Sequence, residues 1–124
     1  MILGTGLDLM DVERIRKSLE KPHFRARIFS QAENEYIDRR GEQSAAGIFA
    51  AKEAVAKALG TGFRGFGPWD IEIHHNDLGA PFCILKNSAL ERKQALGGGR
   101  IHISITHLPE TAAAMAILTD EEEI

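Results

Sequence analysis

Sulfur is scarce in this 124-residue chain: a single cysteine, Cys83, excludes an internal disulfide. Aromatic residues make up only 6%, with one tryptophan and one tyrosine, so most of the 44% hydrophobic content is aliphatic. That is enough for the core of one domain, read over residues 1–118, and the chain is too short to suggest two. No apolar run reaches the length of a membrane span, and no amino-terminal stretch joins a basic start to a long apolar run and a small-residue cleavage site. Neither insertion nor export is expected, and the expected location is the cytoplasm. A net charge of −3 speaks against a general nucleic-acid binder.

The charge is unevenly spread. Arg14, Arg16, Lys17, Lys21, Arg25 and Arg27 crowd the early chain, whereas Asp120 to Glu123 are acidic and residues 119–124 read as a disordered tail. Arg14, Lys17 and Lys21 recur at helical spacing opposite Val12, Ile15 and Leu19. The basic face is either the ordinary wet side of an amphipathic helix or a surface that steers an acidic protein.

Local signals divide the rest. Ser30-Gln-Ala-Glu33 has capping-box spacing and starts a helix that should end near Arg39-Arg40-Gly41. A central helix is expected from Ser44, with Ile48, Ala51, Val55 and Leu59 as its apolar stripe and Gly60 as its terminator. Residues 69–75 and 81–85 read as a hairpin across Asn76-Asp-Leu-Gly79, residues 88–96 as a helix, and residues 101–106 and 112–118 as a second strand pair. Met10, Met115 and Cys83 read as core residues. Hairpins mixed with helices predict an α+β fold, an antiparallel sheet with helices packed on one side.

Three segments carry chemistry. Phe49-Ala-Ala-Lys-Glu-Ala-Val-Ala-Lys-Ala-Leu-Gly-Thr-Gly62 puts Glu53 and Lys57 one helical turn apart on one face, beside glycines whose freed amides suit a phosphate. Alone, that spacing equally describes a solvated ion pair. Gly4-Thr-Gly-Leu-Asp8 reads as a short strand ending in a carboxylate, at a strand-to-helix junction where an acid can reach a metal. Ile101-His-Ile-Ser-Ile-Thr-His107 alternates strictly and ends in a histidine. Ser104 lacks the Gly-x-Ser-x-Gly elbow of a hydrolase.

Together, from Met1 to about Leu118, these segments resemble the holo-acyl-carrier-protein synthases, the small 4′-phosphopantetheinyl transferases. That family's signatures are Gly-x-Gly-x-Asp, Phe-Ala-Ala-Lys-Glu-Ala-x-x-Lys-Ala-x-Gly-Thr-Gly and His-[Ile/Val]-Ser-[Ile/Leu]-[Ser/Thr]-His. The resemblance implies transfer of 4′-phosphopantetheine from coenzyme A to a serine of an acyl carrier protein of fatty-acid synthesis. It also implies a trimer with active sites in clefts between subunits. Asp8 and Glu53 would be ligands of Mg2+, a hard cation that takes one or two carboxylates beside substrate phosphates. Lys57 would contact the phosphates, Gly60, Thr61 and Gly62 would admit the cofactor close to the backbone, and His107 would meet the adenosine-phosphate end, with His102 a weaker candidate.

Relatives often carry an arginine where this chain has Ile48, so that phosphate or adenine contact is either missing or supplied by Arg39 or Arg40. His23 likewise stands where relatives tend to be basic. Arg14, Lys17 and Lys21 would dock the carrier. The role of Lys52 stays open, and Glu33 already has a capping role, so no protein base is assigned. A transferase for a secondary-pathway carrier shares every motif, and a non-catalytic coenzyme A-binding trimer is the reading from another class.

Overall fold

The computed structural model describes residues 1–123. Strand β1 (Ile2–Asp11) leads into helices α1 (Val12–Leu19), α2 (Pro22–Ile28), α3 (Gln31–Arg40) and α4 (Glu42–Ala58). A one-turn 3-10 helix (Pro68–Asp70) precedes the hairpin of β2 (Ile71–His75) and β3 (Pro81–Leu85). Helix α5 (Asn87–Ala95) and the pair β4 (Ile101–His107) and β5 (Thr111–Thr119) complete the chain.

The fold is α+β with antiparallel strands, as expected, but the strands form two sheets: β1-β5-β4 and β2-β3. Helix α4 crosses one face of the larger sheet, and its Ile48, Ala51, Val55 and Leu59 are buried, as are Ala112, Ala114 and Ala116 of β5. Small side chains on both elements let helix and sheet approach closely, which keeps this contact dense with few large residues. The opposite sheet face has no helix over it among the described residues, and Leu7, Leu9 and Met115 stand exposed there. Met115 is therefore a face residue rather than a core one, while Met10 is partly buried.

Several boundaries move, each for a local reason. β1 runs on past Asp8 to Asp11, whose carboxylate accepts from the Glu13 amide at 2.9 Å and caps α1. Asp8 is thus a mid-strand residue. Pro22 opens a separate α2, for which Lys21 is the N-cap position, so Lys21 does not continue the α1 face. The Ser30 capping box forms as read, with Ser30 and Glu33 exchanging bonds. Gly41, at φ +97°, is the N-cap of α4, which starts at Glu42, two residues before Ser44. Trp69 lies in the 3-10 turn instead of β2 because Pro68 fixes a helical φ and Asp70 Oδ2 accepts from the Gly67 amide at 3.3 Å. After Leu118 the acidic segment makes contacts: Asp120 pairs with the Met1 amino group at 2.7 Å, Glu123 with Lys93 at 2.5 Å, and the Glu121 carbonyl accepts from Arg100. Ile124 lies outside the described residues.

Candidate active site

The two glycines of the opening motif are spacers between β1 and α4. A Cβ on Gly6 would stand 1.8 Å from the Ala54 carbonyl oxygen, and one on Gly4 would stand 2.0 Å from that of Ala58. No larger residue fits without moving strand from helix. Alternation then sends Asp8 to the same face, onto the side of α4. There Lys57 Nζ donates to Asp8 Oδ1 at 3.1 Å and to the Leu7 carbonyl at 2.9 Å. The other carboxylate oxygen, Asp8 Oδ2, is buried without a hydrogen-bond partner.

Glu53 sits one turn before Lys57 on the same face, partly buried. Burial raises its pKa above the ordinary carboxylate value, and the negative charge of Asp8 raises it further, while Lys57 and Arg14 pull it down. The charges of Asp8 and Lys57 thus both act on Glu53, and one carboxylate oxygen, Asp8 Oδ2, is left over. A buried acceptor with nothing to accept from is costly unless a cation or donor arrives. Among the described residues no three histidine, cysteine or acidic side chains cluster, so any ion here has two protein carboxylates and must find its other ligands in substrate or water.

The glycine-rich end of α4 differs from expectation. Gly60 and Gly62 adopt φ of +84° and +60°, but their amides are taken by the Lys57 and Ala56 carbonyls at 2.9 and 3.1 Å. The turn closes the helix instead of offering those two amides to a ligand, and the Thr61 hydroxyl donates to the Gly62 carbonyl. Arg92 braces it by donating from Nε to the Leu59 carbonyl at 2.9 Å.

Arg40 and His107 lie elsewhere. His107, Ser44, Gly47, Tyr36 and His75 line a groove at the first turns of α4. Tyr36 stacks on His75 with ring centroids 4.0 Å apart and planes 1° from parallel, and the Arg40 guanidinium stands 5.7 Å from the tyrosine ring. From Gly41 to Lys57 the helix rises roughly 24 Å, and from Gly47 to Lys57 roughly 15 Å. One chain therefore presents two partial sites: Asp8, Glu53 and Lys57 together, and Arg40 with His107 apart from them.

Residues that sequence reasoning left open also find places. Lys52 is wholly buried, and its ammonium donates to Glu33 Oε1 at 2.9 Å, to the Pro68 carbonyl at 2.9 Å and to the Ile71 carbonyl at 2.5 Å. Glu33 Oε1 also accepts from Ser30, and Oε2 accepts from the Ile73 amide at 2.8 Å, which leaves Glu33 no free oxygen for proton transfer. Burial lowers the Lys52 pKa against the attraction of Glu33. Cys83 is partly buried, packed against the core rather than within it, and burial of its thiol pushes the pKa up to about 12. On α1, Val12 and Ile15 pack inward, and Arg16 is held by Glu13 and Glu42 at 2.9 and 2.6 Å. Among the described residues Arg14, Lys17 and Lys21 make no side-chain ion pair, and Arg14 is near enough to Glu53 to lower its pKa.

The model of the 4′-phosphopantetheinyl transferase superfamily matches residues 4–118. The holo-[acyl-carrier-protein] synthase of Clostridium novyi (strain NT) is 47% identical over 121 residues, covering 95% of this chain and 88% of that protein. Among solved structures, the holo-[acyl-carrier-protein] synthase of Neisseria meningitidis superposes with a TM-score of 0.86 at 31% identity, covering 96% of this chain and 99% of that one. The Helicobacter pylori synthase in complex with coenzyme A superposes at 0.81 with 29% identity, covering 93% and 99%. With its glycine-spaced Asp8, its paired Glu53 and Lys57 and this likeness from end to end, the chain belongs to the 4′-phosphopantetheinyl transferase superfamily, among the holo-[acyl-carrier-protein] synthases.

Proposed function

We propose that this protein moves 4′-phosphopantetheine from coenzyme A to a serine hydroxyl of an apo-acyl carrier protein of fatty-acid synthesis, with magnesium, in the cytoplasm. The serine oxygen bonds to the phosphorus that carries pantetheine, the pyrophosphate P–O bond breaks, and adenosine 3′,5′-bisphosphate leaves as the serine gives up its proton. The observation that carries this reading is the convergence of Asp8 and Glu53 beside Lys57, with Asp8 Oδ2 buried and unpartnered. A site for binding alone gains little from two carboxylates that repel each other and the anionic ligand.

Those carboxylates fit magnesium: hard oxygens, two in number, with negative charge uncompensated. When bound, the ion would offset charge on the pyrophosphate and on the departing phosphate. Lys57 holds Asp8 in the free protein, and its exposed ammonium can turn from Asp8 to the leaving phosphate as negative charge develops there. Arg14 and Lys17, with Lys21 at the start of α2, would present positive charge to an acidic carrier, and the influence of Arg14 on Glu53 supports a docked serine close to the carboxylates.

Two observations support a homotrimer. Arg40, His107 and the Tyr36–His75 stack suit the adenosine-phosphate end of coenzyme A but lie apart from Asp8 and Glu53 within one chain. The open sheet face with Leu7, Leu9 and Met115 would be covered by a second copy. A neighbouring subunit seated there would complete each site with its own groove.

Apo-acyl carrier protein incubated with this protein, coenzyme A and magnesium should gain the mass of one phosphopantetheine group, and a chelator should abolish the gain. An unchanged carrier mass with magnesium present would overturn the reading.

A further inference from the structure

Away from the transfer site, β3, α5 and the first residues of β4 enclose a cavity of about 390 Å³. That is within the usual range for small-molecule sites, about 300–1,000 Å³. Phe82, Ile84, Leu90 and Ile101 line it with hydrocarbon, and Phe82 and Ile84 are 43% and 46% exposed. Lys93 and Arg100 bring two positive charges, and Glu123 brings one negative charge.

Lys93 is only 8% exposed, an unusual place for an ammonium. It donates to the Gly99 carbonyl at 3.0 Å and to Glu123 Oε1 at 2.5 Å. Glu123 itself is well exposed, on a segment held by backbone bonds from the Gly99 amide to the Thr119 carbonyl and from the Arg100 amide to the Glu121 carbonyl. The Arg100 guanidinium makes no hydrogen bond or ion pair among the described residues, so these residues leave it open to an anion. A carboxylate thus already occupies the buried amine, carried by a side chain with little else to hold it there.

We propose that this cavity binds an amphipathic monocarboxylate, whose carboxylate replaces Glu123 on Lys93 and engages Arg100 while its hydrocarbon chain covers Phe82, Ile84, Leu90 and Ile101. The exchange keeps a carboxylate on the buried ammonium, so no charge is stranded, and it adds a partner for Arg100. It also removes the exposed aromatic and aliphatic surfaces from water. A long-chain alcohol would cover the same walls but leave both cations without a new anion, and a long-chain amine would add a third positive charge. None of the residues involved belongs to the transfer site, and binding requires neither coenzyme A nor carrier.

The probe is decanoate below its aggregation concentration, titrated calorimetrically into the full chain. The wild type should bind it, Glu123→Gln should bind roughly threefold more tightly because the internal competitor is gone, and Arg100→Gln should bind roughly fivefold more weakly. Lys93→Met should weaken binding by more than roughly tenfold. If that variant does not fold, the opposed effects at Glu123 and Arg100 decide alone. Decanol and decylamine should fail to compete. The proposal is overturned if neither wild type nor Glu123→Gln binds decanoate, if decanol binds as tightly, or if affinity ignores both Glu123→Gln and Arg100→Gln.

Discussion

Lys52 and Lys57 stand five residues apart on one helix and meet opposite fates. Lys52 is wholly buried, with three oxygens around its ammonium and a partner, Glu33, whose own oxygens are all engaged. Lys57 is half exposed and shares Asp8 with an oxygen that has no donor, next to a Glu53 whose ionisation burial and Asp8 both oppose. The interior pair is complete and ties α3, α4, the 3-10 turn and β2 together. The rim cluster leaves a buried carboxylate oxygen without a donor, and the proposed transfer would use it to hold a metal ion beside a pyrophosphate.

The difference can be broken first at the buried pair. Lys52→Met leaves Glu33 charged and buried without its counterion, and should cost about 3–5 kcal/mol in urea denaturation. A loss below about 1 kcal/mol would mean that the pair does not hold these elements together.

At the rim the effects should appear in rate instead. Lys57→Ala should slow single-turnover transfer roughly a hundredfold, because the departing phosphate loses its cation. Its cost in stability should stay below about 1 kcal/mol, since the pair with Asp8 is exposed on the lysine side. An unchanged rate would make Lys57 half of an ordinary surface pair.

Arg14 sharpens the comparison from outside. Arg14→Glu should raise the KM for the carrier roughly tenfold and flatten its salt dependence, with a smaller change for coenzyme A. Because Arg14 also lowers the Glu53 pKa, some effect on coenzyme A is expected. Equal effects on both substrates would move Arg14 from docking surface to chemistry.

The smallest effect is in pH. Glu53 has its pKa raised above 4.5, so between that value and its folded value the native chain binds more protons than the unfolded chain. Stability contributed at this site is therefore present at low pH and falls as pH rises through that window. Glu53→Gln should flatten this part of a urea-midpoint series against pH, and an identical slope in both proteins would contradict the assigned environment.

Local signals made much of this legible. The spacing of Glu53 and Lys57, the Ser30 capping box and the Asn76–Gly79 turn all act within a few residues, where sequence and geometry are nearly one. What stayed hidden depends on distant segments. Gly4 and Gly6 read only as part of a short strand, and their role as spacers shows once α4 is laid against β1. The role of Lys52 stays open until Glu33, nineteen positions away, is found beside it. Lys21 followed the helical count of α1, but Pro22 made a new helix start there. Tyr36 and His75 carried no motif, and only the meeting of α3 with β2 stacks them.

The account rests most directly on Glu53, and one variant tests it. Glu53→Gln keeps the shape, removes one of two opposed carboxylates and leaves the Lys52–Glu33 pair intact. Measured on a single preparation by mass gain of apo-acyl carrier protein and by urea denaturation, it should lose more than roughly a hundredfold in transfer rate with magnesium present. Its stability should equal or exceed that of the wild type, because a desolvated and repelled charge is gone. Transfer within a few-fold of the wild type in a folded variant would contradict the division between a structural interior and a catalytic rim.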